Sequence, residues 1–217
     1  MSYSMQKVLF LGDSITAGSG ASRIDKRYTD VFASKTGVEV RNYGIGGTRI
    51  ARKRTPSVNP VFDDCFLDRL ERMEETADLI VIFGGTNDFG HGDAPLGDLD
   101  SEDEYTFCGA MRHLLRRAIE KYPEARIVVL TPLHRTSECV TVNEIGLPTQ
   151  PLKDFVNAEI EIAKEFSVPV LDLWSVSGIQ PRIQAQCKVF SADGLHPNDR
   201  GHERIADCLI RFLETLG

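Results

Sequence analysis

An α/β fold, in which helices cover both faces of a parallel sheet, is predicted by three features of this 217-residue chain. Short, uniformly apolar runs recur along it, as strands buried on both faces require. Longer segments carry apolar residues at i, i+3 and i+4. The two kinds of segment alternate along the whole chain, which is the order that βαβ units impose.

Five strands are expected, at about 7–12, 38–43, 78–84, 126–131 and 168–173. The first is built on Val8-Leu9-Phe10-Leu11 and the third on Leu79-Ile80-Val81-Ile82-Phe83. Between the third and fourth, Phe107, Ala110, Met111, Leu114, Leu115, Ala118 and Ile119 form one helical stripe. Phe155, Ala158, Ile162, Ala163 and Phe166 repeat the spacing before the fifth strand, and Ile205, Ala206, Leu209, Ile210 and Leu213 repeat it near the C-terminus. Two irregular segments, about 88–103 and 132–150, are placed where loops set specificity on such a scaffold. The first includes His91, which is assigned no role, and an acidic run, Asp98 to Glu104, read as a solvated approach to the next helix. His134 and Arg135 open the second; a surface position is expected for both, with a pocket-facing one as the alternative.

The chemistry gathers where strands end. Gly12-Asp13-Ser14-Ile15-Thr16-Ala17 follows the first strand, so Ser14 stands at the carboxyl edge of the sheet and at a helix start. A serine hydroxyl needs a positioned base to become a nucleophile. Ser191-Ala192-Asp193-Gly194-Leu195-His196-Pro197 can supply one, because an Asp-Gly turn presents Asp193 and His196 from a single loop. Pro197 keeps His196 out of the α region, and Asp193 can fix the imidazole tautomer. Two further strand ends offer donors for a developing oxyanion: Asn42-Tyr43-Gly44-Ile45-Gly46-Gly47-Thr48, and Gly84-Gly85-Thr86-Asn87-Asp88 with its side-chain amide. Each motif has a bland counterpart. Ser14 also suits a helix cap, and Asn87 can end a strand through backbone hydrogen bonds. Asp13 and Asp88 are read as loop braces.

These four blocks, in this order, resemble the SGNH hydrolases, also called GDSL esterases and lipases, and the likeness runs from residue 7 to about 202. The resemblance implies a flavodoxin-like three-layer α/β/α sandwich with strand order 2-1-3-4-5. It implies Ser14 as nucleophile, His196 as base and Asp193 as its orienter. The oxyanion hole would comprise the Ser14 and Gly47 backbone N–H groups and the Asn87 amide. Gly47 is preferred to Gly46 for its spacing from Asn42. The expected activity is hydrolysis of a carboxylic ester through an acyl-enzyme, on a short-chain, acetyl-type ester of a carbohydrate or other small molecule. Thioesterase or lysophospholipase activity, a flavodoxin-like ligand-binding module and a catalytically silent relative are the alternatives.

Composition excludes several other classes. A chain 41% hydrophobic and 26% charged can bury a core as one domain over residues 1–217, and its net charge of −7 argues against a nucleic-acid partner. Arg49, Arg52, Lys53 and Arg54 form a basic cluster after the glycine block, read as a solvated face, with selection of an anionic ester as the alternative. The glycine block lacks the dinucleotide-binding spacing, and neither a P-loop nor a Gly-x-Ser-x-Gly elbow is present. No cofactor is expected. A metal at Asp193, His196 and His202 is set aside because hydrolytic zinc sites use a tighter ligand set; His202 is instead placed at the start of the last helix, capped by Asn198 or Asp199. The five cysteines are expected as free thiols, with Cys65, Cys108 and Cys208 on helices and a Cys139–Cys187 bridge between loops as the alternative. Met1 to Gln6 lacks a secretory pattern, so a cytoplasmic protein without stable membrane anchoring is expected. No heptad seam sets an oligomeric state.

Overall fold

The computed structural model describes residues 5–217; Met1–Ser4, within the segment read for a leader, lie outside them. Its strands are β1 (Lys7–Gly12), β2 (Glu39–Gly44), β3 (Leu79–Phe83), β4 (Arg126–Leu130) and β5 (Val170–Leu171). They form one all-parallel sheet in the order β2-β1-β3-β4-β5. Side chains alternate across it, as the two-residue period of a strand requires. Leu9, Leu11, Ile80, Ile82, Ile127 and Val129 enter one core layer, whereas Val8, Phe10, Leu79, Val81, Val128 and Leu130 enter the other.

The first layer is closed by α3 (Phe66–Arg72), α5 (Phe107–Lys121) and α6 (Leu152–Glu165). The second is closed by α1 (Ser14–Ala17), α2 (Tyr28–Thr36) and α9 (Asp199–Thr215). The expected stripes on α5, α6 and α9 supply the buried faces of these helices, though Ile119 is exposed at the stripe's edge. The remaining α-helices of the described chain are α4 (Thr86–His91), α7 (Leu173–Val176) and α8 (Gln184–Phe190), and short 3-10 turns span Ile24–Lys26 and Pro60–Asp63. None of its helices is long and apolar enough to cross a membrane.

Some expectations need correction. β5 is two residues long, not six: Pro169 has no N–H to pair, and Asp172 leaves the sheet to cap α7 by accepting from the Ser175 amide. The irregular segment expected from 88 begins only after α4, because Gly85, at φ 94°, turns the chain straight from β3 into that helix. Cys65 precedes α3 as its N-cap residue, and Cys187 lies on α8, not in a loop. All five cysteines are free thiols.

The register places Gly12 of β1 opposite Gly44 of β2 and Phe83 of β3, so the three strands finish side by side. Arg69 of α3 ties these ends together. Its buried guanidinium donates to the Gly12 carbonyl (2.8 Å), the Tyr43 carbonyl and the Thr48 Oγ1 (2.8 Å). Removing it strands buried acceptors, at a cost of about 3 kcal/mol. Arg69→Met is therefore expected to lower the melting temperature by roughly 6–12 °C for a chain of this size. A thermal unfolding curve within about 2 °C of wild type would refute that role.

Candidate active site

Ser14 is the first residue of α1, preceded by Asp13, whose side chain caps the helix by accepting from the Ile15 amide at 2.9 Å. As the first helical residue, Ser14 has an N–H with no intrahelical acceptor. The residue is nearly closed off from solvent, 8% exposed. The glycine block passes directly beside it. A Cβ on Gly44 would stand 2.2 Å from the Ala17 nitrogen, so only glycine permits that approach of β2 to α1. A Cβ on Gly46 would stand 3.7 Å from that of Ser14. Gly47 adopts φ 75°, and the Phe62 ring lies against it where a side chain would project.

The Asp193–His196 loop arrives from the other end of the chain. The His196 carbonyl accepts from the Ala192 amide (2.8 Å) and the Ser191 hydroxyl (3.0 Å), while the Gly194 carbonyl accepts from the Thr136 amide (3.0 Å). Asp193 is held by three donors: the Leu195 and His196 amides on Oδ1 (2.9 and 2.7 Å) and the His196 ring on Oδ2 (2.7 Å). Partial burial pulls the Asp193 carboxyl upward, but those hydrogen bonds outweigh it and leave it below the usual carboxylate range. An ionised Asp193 can only accept, so His196 Nδ1 carries the proton. Nε2 then presents its lone pair to the Ser14 hydroxyl, 3.0 Å away. The result is one hydrogen-bonded line from carboxylate to imidazole to alcohol across 182 residues of sequence.

Asn87 is buried on α4, where one amide hydrogen goes to the Thr48 carbonyl (2.9 Å), beside Gly47. Asp88 accepts from the Ile50 and Ala51 amides (3.0 and 2.9 Å), bracing the chain beyond the glycine block. Burial nevertheless pushes the Asp88 carboxyl up to about 6, and does the same to Asp13.

The placement of His91 differs from expectation. One turn beyond Asn87 on α4, its Nε2 meets Asn87 Oδ1 at 3.2 Å and its Nδ1 meets the Arg49 guanidinium at 3.1 Å. Nor is the basic cluster a solvated face throughout, although Arg54 is exposed. Arg49 is buried, Arg52 is paired with Asp68 and Glu104, Arg54 bonds Asp103, and Lys53 bonds Ser57. Acidic partners from separate segments engage charges that look free in sequence. In the acidic run, likewise, Glu102 meets Arg112 and Arg116 of α5.

His134 and Arg135 do not lie on the surface. His134 bonds Glu138 (2.9 Å) and packs on the Trp174 ring, and buried Arg135 reaches the Thr86 carbonyl (3.3 Å) and Glu144 (2.6 Å). The second irregular segment is thereby tied to the start of α4. His202, on α9 behind its Asn198 cap, is buried and accepts from the Tyr28 amide (3.3 Å) while donating to the Ser19 carbonyl (3.2 Å).

Residues 10–204 match the GDSL-like Lipase/Acylhydrolase family. Among known relatives, a GDSL lipase of Mycobacterium tuberculosis is 26% identical, with 95% of this chain and 81% of that protein covered. A human isoamyl acetate-hydrolyzing esterase 1 homolog is also 26% identical, with 96% and 81% covered. A solved structure from Lactobacillus plantarum superposes with a TM-score of 0.84 at 32% identity, covering 99% of each chain. A possible lipase from Chitinophaga pinensis shares the fold at 21% identity, with a TM-score of 0.70 over 97% of this chain and 98% of that one. The fold is thus the five-stranded parallel α/β sheet flanked by helices that GDSL hydrolases share. The chain belongs to the GDSL-like lipase/acylhydrolase family, and its activity class is ester hydrolysis.

The buried acid beside Ser14 has a measurable consequence. Because Asp13 titrates near 6 in the folded chain instead of near 3.8, the folded state binds its proton more tightly than the unfolded one. The resulting stabilisation is complete below pH 3.8 and is lost as pH rises through 6. Asp13→Asn keeps a capping oxygen without the charge, so its melting temperature should exceed wild type by roughly 3–10 °C at pH 7.5 and converge with it near pH 4. A shift that is the same at both values would contradict the assignment.

Proposed function

We propose that this chain is a serine esterase, acting as one hydrolase domain, in which Ser14 attacks the acyl carbonyl of a small ester. The observation that carries this reading is the line Asp193–His196–Ser14, with contacts of 2.7 and 3.0 Å and a defined tautomer. In the first half-reaction, the Ser14 Oγ bonds to the carbonyl carbon as His196 Nε2 takes the hydroxyl proton. The carbonyl π electrons move to oxygen, where the Ser14 and Gly47 amides and the second Asn87 N–H would receive the charge. Collapse expels the alcohol, which takes the proton from His196 and leaves an acyl-Ser14 ester. Water then attacks that ester, again losing its proton to His196, and the acid departs as Ser14 is reprotonated.

A short acyl group, acetyl in particular, on a carbohydrate or other small alcohol is the substrate class we favour. Support comes from the human relative, named as a homolog of an isoamyl acetate-hydrolyzing esterase.

Ser14→Ala is expected to abolish covalent labelling by a fluorophosphonate probe; persistent labelling would sink the nucleophile assignment. Loss of one oxyanion donor in Asn87→Ala should lower kcat on the order of 10²–10³-fold with folding intact. Across p-nitrophenyl esters of increasing chain length, kcat/KM should be highest at acetate or propionate, alongside release of acetate from acetylated sugars. An optimum at long chains would overturn the substrate class while leaving the nucleophile untouched.

A further inference from the structure

Asn87 sits in a closed ring of hydrogen bonds whose two ends admit only one proton arrangement. At one end, the Arg49 guanidinium has donors and no acceptor, so its NH1 must donate to His91 Nδ1 (3.1 Å). His91 therefore carries its proton on Nε2 and donates to Asn87 Oδ1 (3.2 Å). At the other end, the Thr48 carbonyl can only accept, and it takes one Asn87 amide hydrogen at 2.9 Å. Turning the Asn87 amide over would set its oxygen against the Thr48 carbonyl and its NH2 against the His91 N–H. One Asn87 hydrogen is left, with its direction set by the other contacts.

The peptide bond from Thr48 to Arg49 closes the ring, and Gly47 is the residue just before it. Arg49 is anchored in turn: it is buried, its NH2 donates to the Phe62 carbonyl at 2.7 Å, and Asp63 lies 3.6 Å away. Burial, and next the Arg49 charge, holds the His91 ring below its ordinary value. A second proton, on Nδ1, would point at the guanidinium. The neutral Nε2–H tautomer is the form that fits.

We infer that His91, held by Arg49, is a positioning residue that locks the Asn87 amide in its donating orientation and fixes it relative to the Gly47 backbone. The inference rests on the assignment of Asn87 as an oxyanion donor. Arg49 thus serves the site from within, its guanidinium engaged by the His91 ring and the Phe62 carbonyl. A misdirected donor loses transition-state stabilisation while substrate binding stays largely as it was.

The test compares His91→Leu, His91→Gln, Asn87→Ala and the double variant Asn87→Ala/His91→Leu, using p-nitrophenyl acetate hydrolysis. Fluorophosphonate titration of competent sites makes each kcat independent of any misfolded fraction. His91→Leu is expected to lower kcat on the order of 10–100-fold with KM changed by less than about threefold. His91→Gln, whose amide can both donate to Asn87 and accept from Arg49, should recover most of the rate. In the Asn87→Ala background, His91→Leu should have less than about a twofold further effect, because the group it positions is gone. A damaging Asn87→Ala together with a harmless His91→Leu would overturn this inference alone. So would equal losses from His91→Leu in both backgrounds, which mark a general structural effect. A harmless Asn87→Ala would remove the oxyanion assignment and the inference with it.

Discussion

Everything at the site depends on strand ends that finish together. In a parallel sheet each strand delivers its chain to the same edge, and here Gly12, Gly44 and Phe83 stand in register. That edge is crowded with carbonyls, which a buried arginine is suited to gather. Arg69 bonds the ends of β1 and β2 and the Thr48 hydroxyl at once, so the serine turn and the glycine loop share one anchor. Its charge, lowered by burial to a titration point near 10, is itself costly to keep inside. The compensation is geometric: the serine turn and the glycine loop, held by one guanidinium, cannot drift apart.

The same edge holds several acids away from water. Asp13 caps the serine helix and Asp88 binds two amides beyond the glycine loop, yet burial raises both. Glu159 of α6 is more extreme. It is fully buried, neither carboxyl oxygen has a partner among the described residues, and burial followed by the Asp88 and Asp13 charges drives it well above its ordinary value. Such a group is tolerated only as the neutral acid. Asp193 contrasts with all three, being half-exposed and ionised under its three donors. The acid that orients the imidazole is thus the one best solvated and best bonded.

Much of this was legible in sequence because its signals are local. Strand runs, helix stripes and the blocks around Ser14, Gly47, Asn87 and His196 each occupy a few adjacent residues, so their chemistry can be recognised before their contacts are known. The supporting residues carry no such mark. Arg69 meets acceptors 57 and 26 positions away, and Arg49 meets His91 across 42 positions. One signal was available: His91 follows Asn87 by four residues, the spacing of neighbours on a helix face. Treating 88–103 as irregular hides it, since the turn at Gly85 that starts α4 is a matter of backbone angle. The basic cluster shows the complementary limit, because adjacent charges in sequence do not reveal the carboxylates that face them.

By itself, then, the sequence determined which segments become strands and helices and which residue types stand at the carboxyl edge, since apolar period and turn chemistry act over short range. Only the tertiary structure decided which proton each polar group holds and where its free donor points. Those choices are made by partners far apart in the chain: Asp193 sets the His196 tautomer toward Ser14, while Arg49 and the Thr48 carbonyl set His91 and Asn87. A hydrogen bond needs a donor and an acceptor at about 3 Å, and folding alone brings these distant groups to that distance.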